Sequence, residues 1–210
     1  IGKTILLIYK MSSRMRIKLK TCGSELVSFQ KNNEFQYLIP PNAENPRLTR
    51  AVQGKDHSGV LQEIYVVEER PLTIFLNAEE IVTAMTIGDY PEFLALGFLR
   101  NQGMLLEGDD VTGIDYDEEL ETVVVRTSRQ TNYEEKLRKK TRTSGCAVGT
   151  VFGDMMEGLE DLQLAHCEVK TSWLYELASK INQTPSLYLS AGAIHGTVLC
   201  QQNRPLVYME

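Results

Sequence analysis

Short apolar segments of strand type alternate with amphipathic helical segments between Val60 and Met209, and this alternation limits the possible folds more than any other feature. Strand segments are short runs rich in β-branched and aromatic residues, whereas helices repeat apolar residues every three or four positions. The patterns predict strands over 63–67, 72–76, 81–85, 122–127, 186–190 and 196–200, and helices over about 89–103, 152–164 and 172–181. Such an alternation indicates a layered α/β sandwich.

The first predicted helix follows Gly88 and carries signals at both ends. Asp89 is the candidate N-cap residue, because its short side chain can accept hydrogen bonds from free backbone N–H groups, and Pro91 suits the first turn. Gly103 marks the expected C-terminal end. The expected buried faces contain Phe93, Leu94, Leu96, Gly97 and Leu99 in this helix, and Leu174, Leu177 and Ile181 in the last one.

Residues 1–60 are less regular than the rest of the chain. Basic and apolar residues alternate over 14–20, which predicts a strand, and the segments 40–46 and 54–59 have loop compositions. We therefore expect an N-terminal arm or edge segment over 1–60 and a single domain over 61–210. The last apolar residues, 206–209, predict a strand or the approach to a helix, so we expect the chain to be a fragment that is incomplete at its C-terminal end.

The charge balance and the hydropathy pattern exclude several classes of protein. Lysine and arginine total 22 against 28 acidic residues, giving a net charge of −6, whereas a general nucleic-acid binder needs a positive surface. The acidic run 115–121 predicts a solvated hairpin tip. No apolar run approaches the roughly 20 residues of a membrane helix, and no signal-peptide pattern is present. We expect neither nucleic acid nor membrane as a partner.

The cysteines and histidines show no spacing typical of a disulfide framework or of a zinc site. The sequence has four cysteines, none of which lies close to another in the chain: Cys22, Cys146, Cys167 and Cys200. It contains no C-x-x-C and no H-E-x-x-H motif. A reducing cytoplasm is therefore the expected location, and no resident metal is expected. Only Cys146 and His195 have surroundings that favour chemistry, so the remaining cysteines and histidines are interpreted as structural or incidental.

Cys146 lies between Gly145 and Gly149 in the segment 142–150. Glycines allow the backbone to turn so that several N–H groups face one point, and a following helix N-terminus would add positive charge. Both effects would stabilise a thiolate, and the basic stretch that ends at Arg142 could attract an anionic substrate. The alternative is a buried structural cysteine in a tight turn beside a solvated basic segment.

His195 is surrounded by small residues in the segment 190–196, between two predicted strands. This pattern suits a ligand that approaches the backbone near Gly192, with the imidazole as a hydrogen-bond donor or proton carrier. The alternative is a turn histidine whose hydrogen bonds go to the backbone. The residues alone leave both interpretations open.

Two stretches resemble the FdhD/NarQ family, the formate dehydrogenase accessory sulfurtransferases. They are Glu69–Asn77 and Thr86–Leu99, the latter followed by Asn101-Gln102-Gly103, near the family patterns T-P-x-D and L-A-x-G-F-L-x-x-E-G. The cysteine loop and the histidine segment follow in the family's order, so the resemblance covers about 60–210. Glu210 resembles the first residue of the family's E-D-x-G-R-H-N segment.

This resemblance implies a mixed sheet layered with helices, similar to the cytidine deaminase fold, and a homodimer. It implies sulfur transfer: a cysteine desulfurase would load a persulfide onto Cys146. The sulfur would then pass to a molybdenum bis(guanine dinucleotide) cofactor destined for formate dehydrogenase. By the same resemblance the cofactor's guanine nucleotide would contact a set of residues in the two loops: Gly145, Gly149, Arg142, Gly192 and His195.

The sequence departs from the family pattern at two positions. Many members have a C-x-x-C in the cysteine loop, but Gly149 occupies the place of the second cysteine, and Ala191 replaces a threonine in the histidine segment. A single loop cysteine cannot release sulfur by forming a disulfide within the loop. A chaperone that binds the cofactor without sulfur chemistry is therefore the alternative, and a rhodanese-like enzyme is a weaker third.

Overall fold

The structure, a computed structural model, describes residues 5–8, 37–106, 108–129, 140–142, 150–152 and 168–210. Within these ranges the elements in chain order are β1 (Ile5–Ile8), β2 (Thr49–Lys55), β3 (Leu61–Val67), β4 (Arg70–Leu76), β5 (Glu79–Thr86), α1 (Pro91–Asn101), β6 (Val111–Asp117), β7 (Thr122–Thr127), β8 (Lys140–Arg142), β9 (Thr150–Phe152), α2 (Thr171–Gln183), α3 (Leu187–Ser190), β10 (Thr197–Gln201) and β11 (Arg204–Met209). None of the helices in these ranges is long and apolar enough to cross a membrane.

The chain divides into two compact units. The first comprises Ile1–Glu44, Gln53–Val66 and His166–Glu210, and the second comprises Asn45–Val52 and Val67–Ala165. The hairpin β2–β3 is a two-stranded sheet whose turn is closed by the Asp56 carboxylate, which accepts the backbone N–H groups of Ser58 and Val60. The predicted boundary at residue 60 stays a prediction.

The second unit is built on a four-stranded sheet in the order β5-β4-β7-β6. β4 pairs antiparallel with β5 and parallel with β7, and β6 pairs antiparallel with β7, so the sheet is mixed. Helix α1 packs against β6 and β7. The core contains Leu72, Ile74 and Leu76 from alternate positions of β4, with Val123, Val125, Ala95 and Leu99.

The β4–β5 turn depends on Asn77, whose φ of 55° lies in the left-handed region that asparagine tolerates. Its side chain also joins β7: Oδ1 accepts the Thr127 N–H at 2.8 Å and Nδ2 donates to Thr127 Oγ1 at 3.2 Å. The predicted hairpin is confirmed, and so is the acidic hairpin tip at 115–121, where the Asp117 carboxylate accepts two backbone N–H groups of the turn.

Helix α1 differs from the prediction at its start and in its buried face. Its N-cap residue is Tyr90, with φ 46° and no capping side chain, while Asp89 lies one residue earlier and is buried. The prediction of an Asp89 cap is wrong because Pro91 occupies the first helical position and fixes the start one residue later. The buried face is Pro91, Ala95 and Leu99, so Leu94 and Gly97 are exposed.

The first unit contains a three-stranded sheet in which β1 pairs parallel with β10 and β10 pairs antiparallel with β11. Helix α2 packs against β11. The core of the first unit consists of Leu177, Ile181, Val198, Cys200 and Tyr208. The prediction that Leu174 shares the buried face is wrong, since that side chain is 40% exposed.

The strand predicted over 186–190 is wrong, because the structure has the short helix α3 there. Ser186 is the reason: its hydroxyl accepts the Leu189 N–H, a capping bond that favours a helical turn over an extended segment. Both units combine sheet and helix, and the three-stranded and four-stranded sheets each mix parallel and antiparallel pairs. The fold class is therefore a mixed α/β sandwich, as predicted.

Candidate functional site

The two predicted loops, one with Cys146 and one with His195, are described to different extents. Gly145, Cys146 and Gly149 lie outside the described residues, and Arg142 is described as the last residue of β8. Strands β8 and β9 pair antiparallel with Arg142 opposite Thr150. The segment 143–149, which contains Cys146, connects these two paired strands in the sequence.

Strand β9 corrects one expectation about the Cys146 loop. The helix predicted from Phe152 does not begin there, because Phe152 is the last residue of β9; residues 153–167 lie outside the described residues. Thr150, Val151 and Phe152 are β-branched or aromatic residues, which favour a strand. The loop thus leads into a strand rather than into a helix N-terminus, so the contribution of a helix dipole to a Cys146 thiolate has no support.

The His195 loop, defined here as residues 191–196, connects α3 to β10 in the first unit. Two successive residues are left-handed, Gly192 with φ 65° and Ala193 with φ 54°. The N–H of Gly192 donates to the Leu187 and Tyr188 carbonyls at 3.2 and 3.1 Å, which closes the C-terminal end of α3. This turn is why a glycine is needed at position 192.

The side chains alternate as the His195 loop enters β10. Ile194, Gly196 and Val198 are buried, whereas His195 and Thr197 are exposed. The His195 side chain therefore lies on the solvent side of the loop and does not belong to the core. This is the arrangement that the ligand-facing interpretation of His195 requires.

Gly196 is fixed by a close approach to Tyr208, which the sequence analysis did not single out. A Cβ atom at position 196 would lie 2.7 Å from Tyr208 Cε2 and 3.2 Å from its hydroxyl oxygen. The ring is 3% exposed and packs against Tyr37, with 6.3 Å between the ring centroids, and burial raises the pKa of its hydroxyl. The small residue at 196 thus reflects packing beneath the loop, which no pattern in the local sequence distinguishes from ligand contact.

Cys200 behaves as the sequence analysis expected of a structural cysteine. It is buried in the core of the first unit, and burial raises the pKa of its thiol to about 11. Among the described residues, no group of three or more histidine, cysteine, aspartate or glutamate side chains could hold a metal ion.

The model of the FdhD/NarQ family matches residues 67–210. The chain belongs to the FdhD/NarQ family. All six predicted site residues lie within the matched range, so the FdhD/NarQ match includes both the cysteine loop and the His195 loop.

Two curated members of the FdhD/NarQ family illustrate the degree of similarity, and both are named sulfur carrier protein FdhD. The protein of Listeria monocytogenes serovar 1/2a is 26% identical over 149 residues, which cover 68% of this chain and 57% of that protein. The protein of Bacillus subtilis strain 168 is 26% identical over 145 residues, which cover 68% of this chain and 55% of that protein. The chain thus spans little more than half the length of these relatives.

A solved structure with the same fold comes from Desulfotalea psychrophila and is a formate dehydrogenase accessory protein. It superimposes with a TM-score of 0.53 at 19% identity, over 76% of this chain and 59% of that chain. The likeness shows that the two chains share a fold. The more specific prediction of a cytidine deaminase-like fold stays a prediction.

Proposed function

We propose that the protein transfers sulfur by means of a persulfide on Cys146. The observation that carries the proposal is the family match over 67–210, together with relatives that are named sulfur carrier proteins. The Cys146 thiolate would attack the outer sulfur of a persulfide on a cysteine desulfurase. A new S–S bond then forms on Cys146, the S–S bond of the donor breaks, and the donor cysteine leaves as a thiolate.

The proposed acceptor of the sulfur is the molybdenum bis(guanine dinucleotide) cofactor of formate dehydrogenase. Delivery as sulfide needs two electrons, which two thiols supply as they are oxidised to a disulfide and Cys146 returns to the thiol. The thiols must come from outside the loop, because Gly149 provides no second cysteine. We place this reaction in the cytoplasm, as the unpaired cysteine spacing suggests, and in a homodimer, as the family resemblance implies.

The His195 loop is the proposed contact for the guanine nucleotide part of the cofactor. Its exposed imidazole can donate a hydrogen bond, and the absence of a side chain at Gly192 allows a ligand to approach the backbone. Gly145, Gly149 and Arg142 are the other proposed contacts of the cofactor. Their backbone N–H groups and positive charge suit phosphate.

Intact-mass spectrometry tests the sulfur chemistry directly. Incubation with a cysteine desulfurase and cysteine should add the mass of one sulfur atom to the wild-type chain and to Cys200→Ala, but not to Cys146→Ala. Cys200 is the matched control because it is buried and its thiol pKa is raised. An adduct that persists in Cys146→Ala would contradict the proposed role of Cys146.

The absence of a second loop cysteine favours one alternative, a chaperone that delivers the cofactor without sulfur chemistry. Complementation of cells that lack their own family member separates the two functions. If the protein is a chaperone, the Cys146→Ala variant should restore formate dehydrogenase activity and the His195→Ala variant should not. A sulfurtransferase should fail in both variants, although His195→Ala should still acquire the persulfide.

A further inference from the structure

The side chain of Glu210 binds the start of α3, the helix that precedes the His195 loop. Its Oε2 accepts the Leu187 N–H at 2.8 Å, and its Oε1 accepts the Tyr188 N–H at 2.9 Å. Ser186 Oγ accepts the next N–H, that of Leu189, at 3.4 Å. The first N–H groups of a helix have no partner within the helix, so these two side chains satisfy all three.

Tyr208, two residues before Glu210, contacts the C-terminal end of the His195 loop, whereas Glu210 contacts the start of the helix that precedes this loop. Tyr208 belongs to β11, and Glu210 follows directly after this strand, which ends at Met209. The Tyr208 ring lies against Gly196, the last residue of the His195 loop. The end of β11 therefore contacts both the start of α3 and the end of the loop.

We propose that Glu210 is a positioning residue, whose carboxylate fixes α3 and thereby the His195 loop in the conformation that binds the guanine nucleotide. The proposal rests on the proposed function for the identity of the ligand. Helix α3 has only four residues, so it cannot hold its own orientation through a long run of helical hydrogen bonds. A carboxylate that accepts two adjacent N–H groups fixes both the start of the helix and its direction.

The two acceptor oxygens distinguish Glu210 from its amide. Glutamine has one carbonyl oxygen, and its amide nitrogen would face a second N–H donor, so Glu210→Gln can satisfy only one of the two N–H groups. Glu176→Gln is the matched control, because Glu176 belongs to the same unit, is exposed and accepts a single hydrogen bond from Asn203 at 2.6 Å.

The experiment measures three quantities on the full chain: backbone hydrogen exchange, the affinity for GDP and the loading of a persulfide on Cys146. In Glu210→Gln, the Leu187 and Tyr188 amides and the loop amides should exchange faster than in the wild type. The Kd for GDP should rise about tenfold, the factor equivalent to about 1.4 kcal/mol. The melting temperature should match that of Glu176→Gln, and persulfide loading should be unchanged. A purely structural role would lower the melting temperature and impair loading and binding together.

Several results would overturn the proposal. One is that the Leu187 and Tyr188 amides exchange at unprotected rates in the wild type, a measurement that does not require the variant to fold. Another is an unchanged GDP affinity in Glu210→Gln. If the wild type binds no GDP, the nucleotide part of the proposed function fails by itself. The loop amides then decide the positioning role: faster exchange in Glu210→Gln than in Glu176→Gln supports it, and equal exchange refutes it.

Discussion

Substitution of Gly196 by alanine should destabilise the protein through a single steric conflict. The added methyl group would lie 2.7 Å from Tyr208 Cε2 and 3.4 Å from Cζ. Carbon atoms in van der Waals contact are about 3.5–4.0 Å apart, so either the ring or the loop must move. The ring has little room, because it is 3% exposed and packs against Tyr37.

The cost follows from these contacts. Overpacking of a filled core by a methyl group destabilises proteins by about 1–3 kcal/mol. In a chain of this size each kcal/mol lowers the melting temperature by about 2–4 °C. Differential scanning calorimetry should therefore detect a drop of about 2–12 °C in Gly196→Ala. The exposed side chain of His195, the preceding residue, should be displaced with the loop, and this displacement should weaken the proposed nucleotide binding.

Gly97→Ala provides the matched control for this substitution. Gly97 lies inside α1, and a Cβ atom added there would meet no heavy atom within 4 Å. Alanine is favoured over glycine in a helix by about 1 kcal/mol, so this variant should be more stable than the wild type. A Gly196→Ala variant that melts at the wild-type temperature would refute the packing argument. So would a Gly196→Ala substitution that destabilises the Tyr208→Ala variant as much as it destabilises the wild type.

Two further predictions concern titration and reactivity. Arg129 donates two hydrogen bonds to Asp109 and the Leu106 N–H donates a third, so the pKa of the Asp109 carboxyl is lowered from 3.8 to about 2. A carboxyl whose pKa is lowered by folding stabilises the protein at pH values above its pKa in the unfolded chain, and this stabilisation is lost as the pH falls towards its pKa in the folded chain. In acid unfolding monitored by circular dichroism, the stabilities of the wild type and Asp109→Asn should therefore differ at pH 5 and converge between about pH 4 and 2. Burial raises the pKa of the Cys200 thiol to about 11, so iodoacetamide at pH 7 should leave Cys200 unmodified until the chain is unfolded. Peptide mass mapping can show this, and modification of Cys200 in the native chain would contradict its burial.

The strands and the hairpins could be predicted because their signals are local. β4 alternates buried and accessible residues, a two-residue turn joins it to β5, and the predicted segments lie within the observed bounds of both strands. Some predictions failed for local reasons, as at Pro91, but one failed where a contact distant in sequence contributes. The segment 186–190 has the apolar residues of a strand, yet its backbone N–H groups are accepted by Ser186 and by Glu210, more than 20 residues away.

The same distinction separates the predicted site residues from those that were missed. His195 stood out because small residues surround it, and this signal has two physical sources in the structure. Gly192 is needed for a left-handed backbone turn, whereas Gly196 is needed because Tyr208 approaches it from β11. Neither Tyr208 nor the carboxylate of Glu210 carries a local pattern that reveals its partner. Small residues around a histidine therefore do not by themselves distinguish a ligand site from a tight turn above a buried ring, and only the contacts of the folded chain separate the two causes.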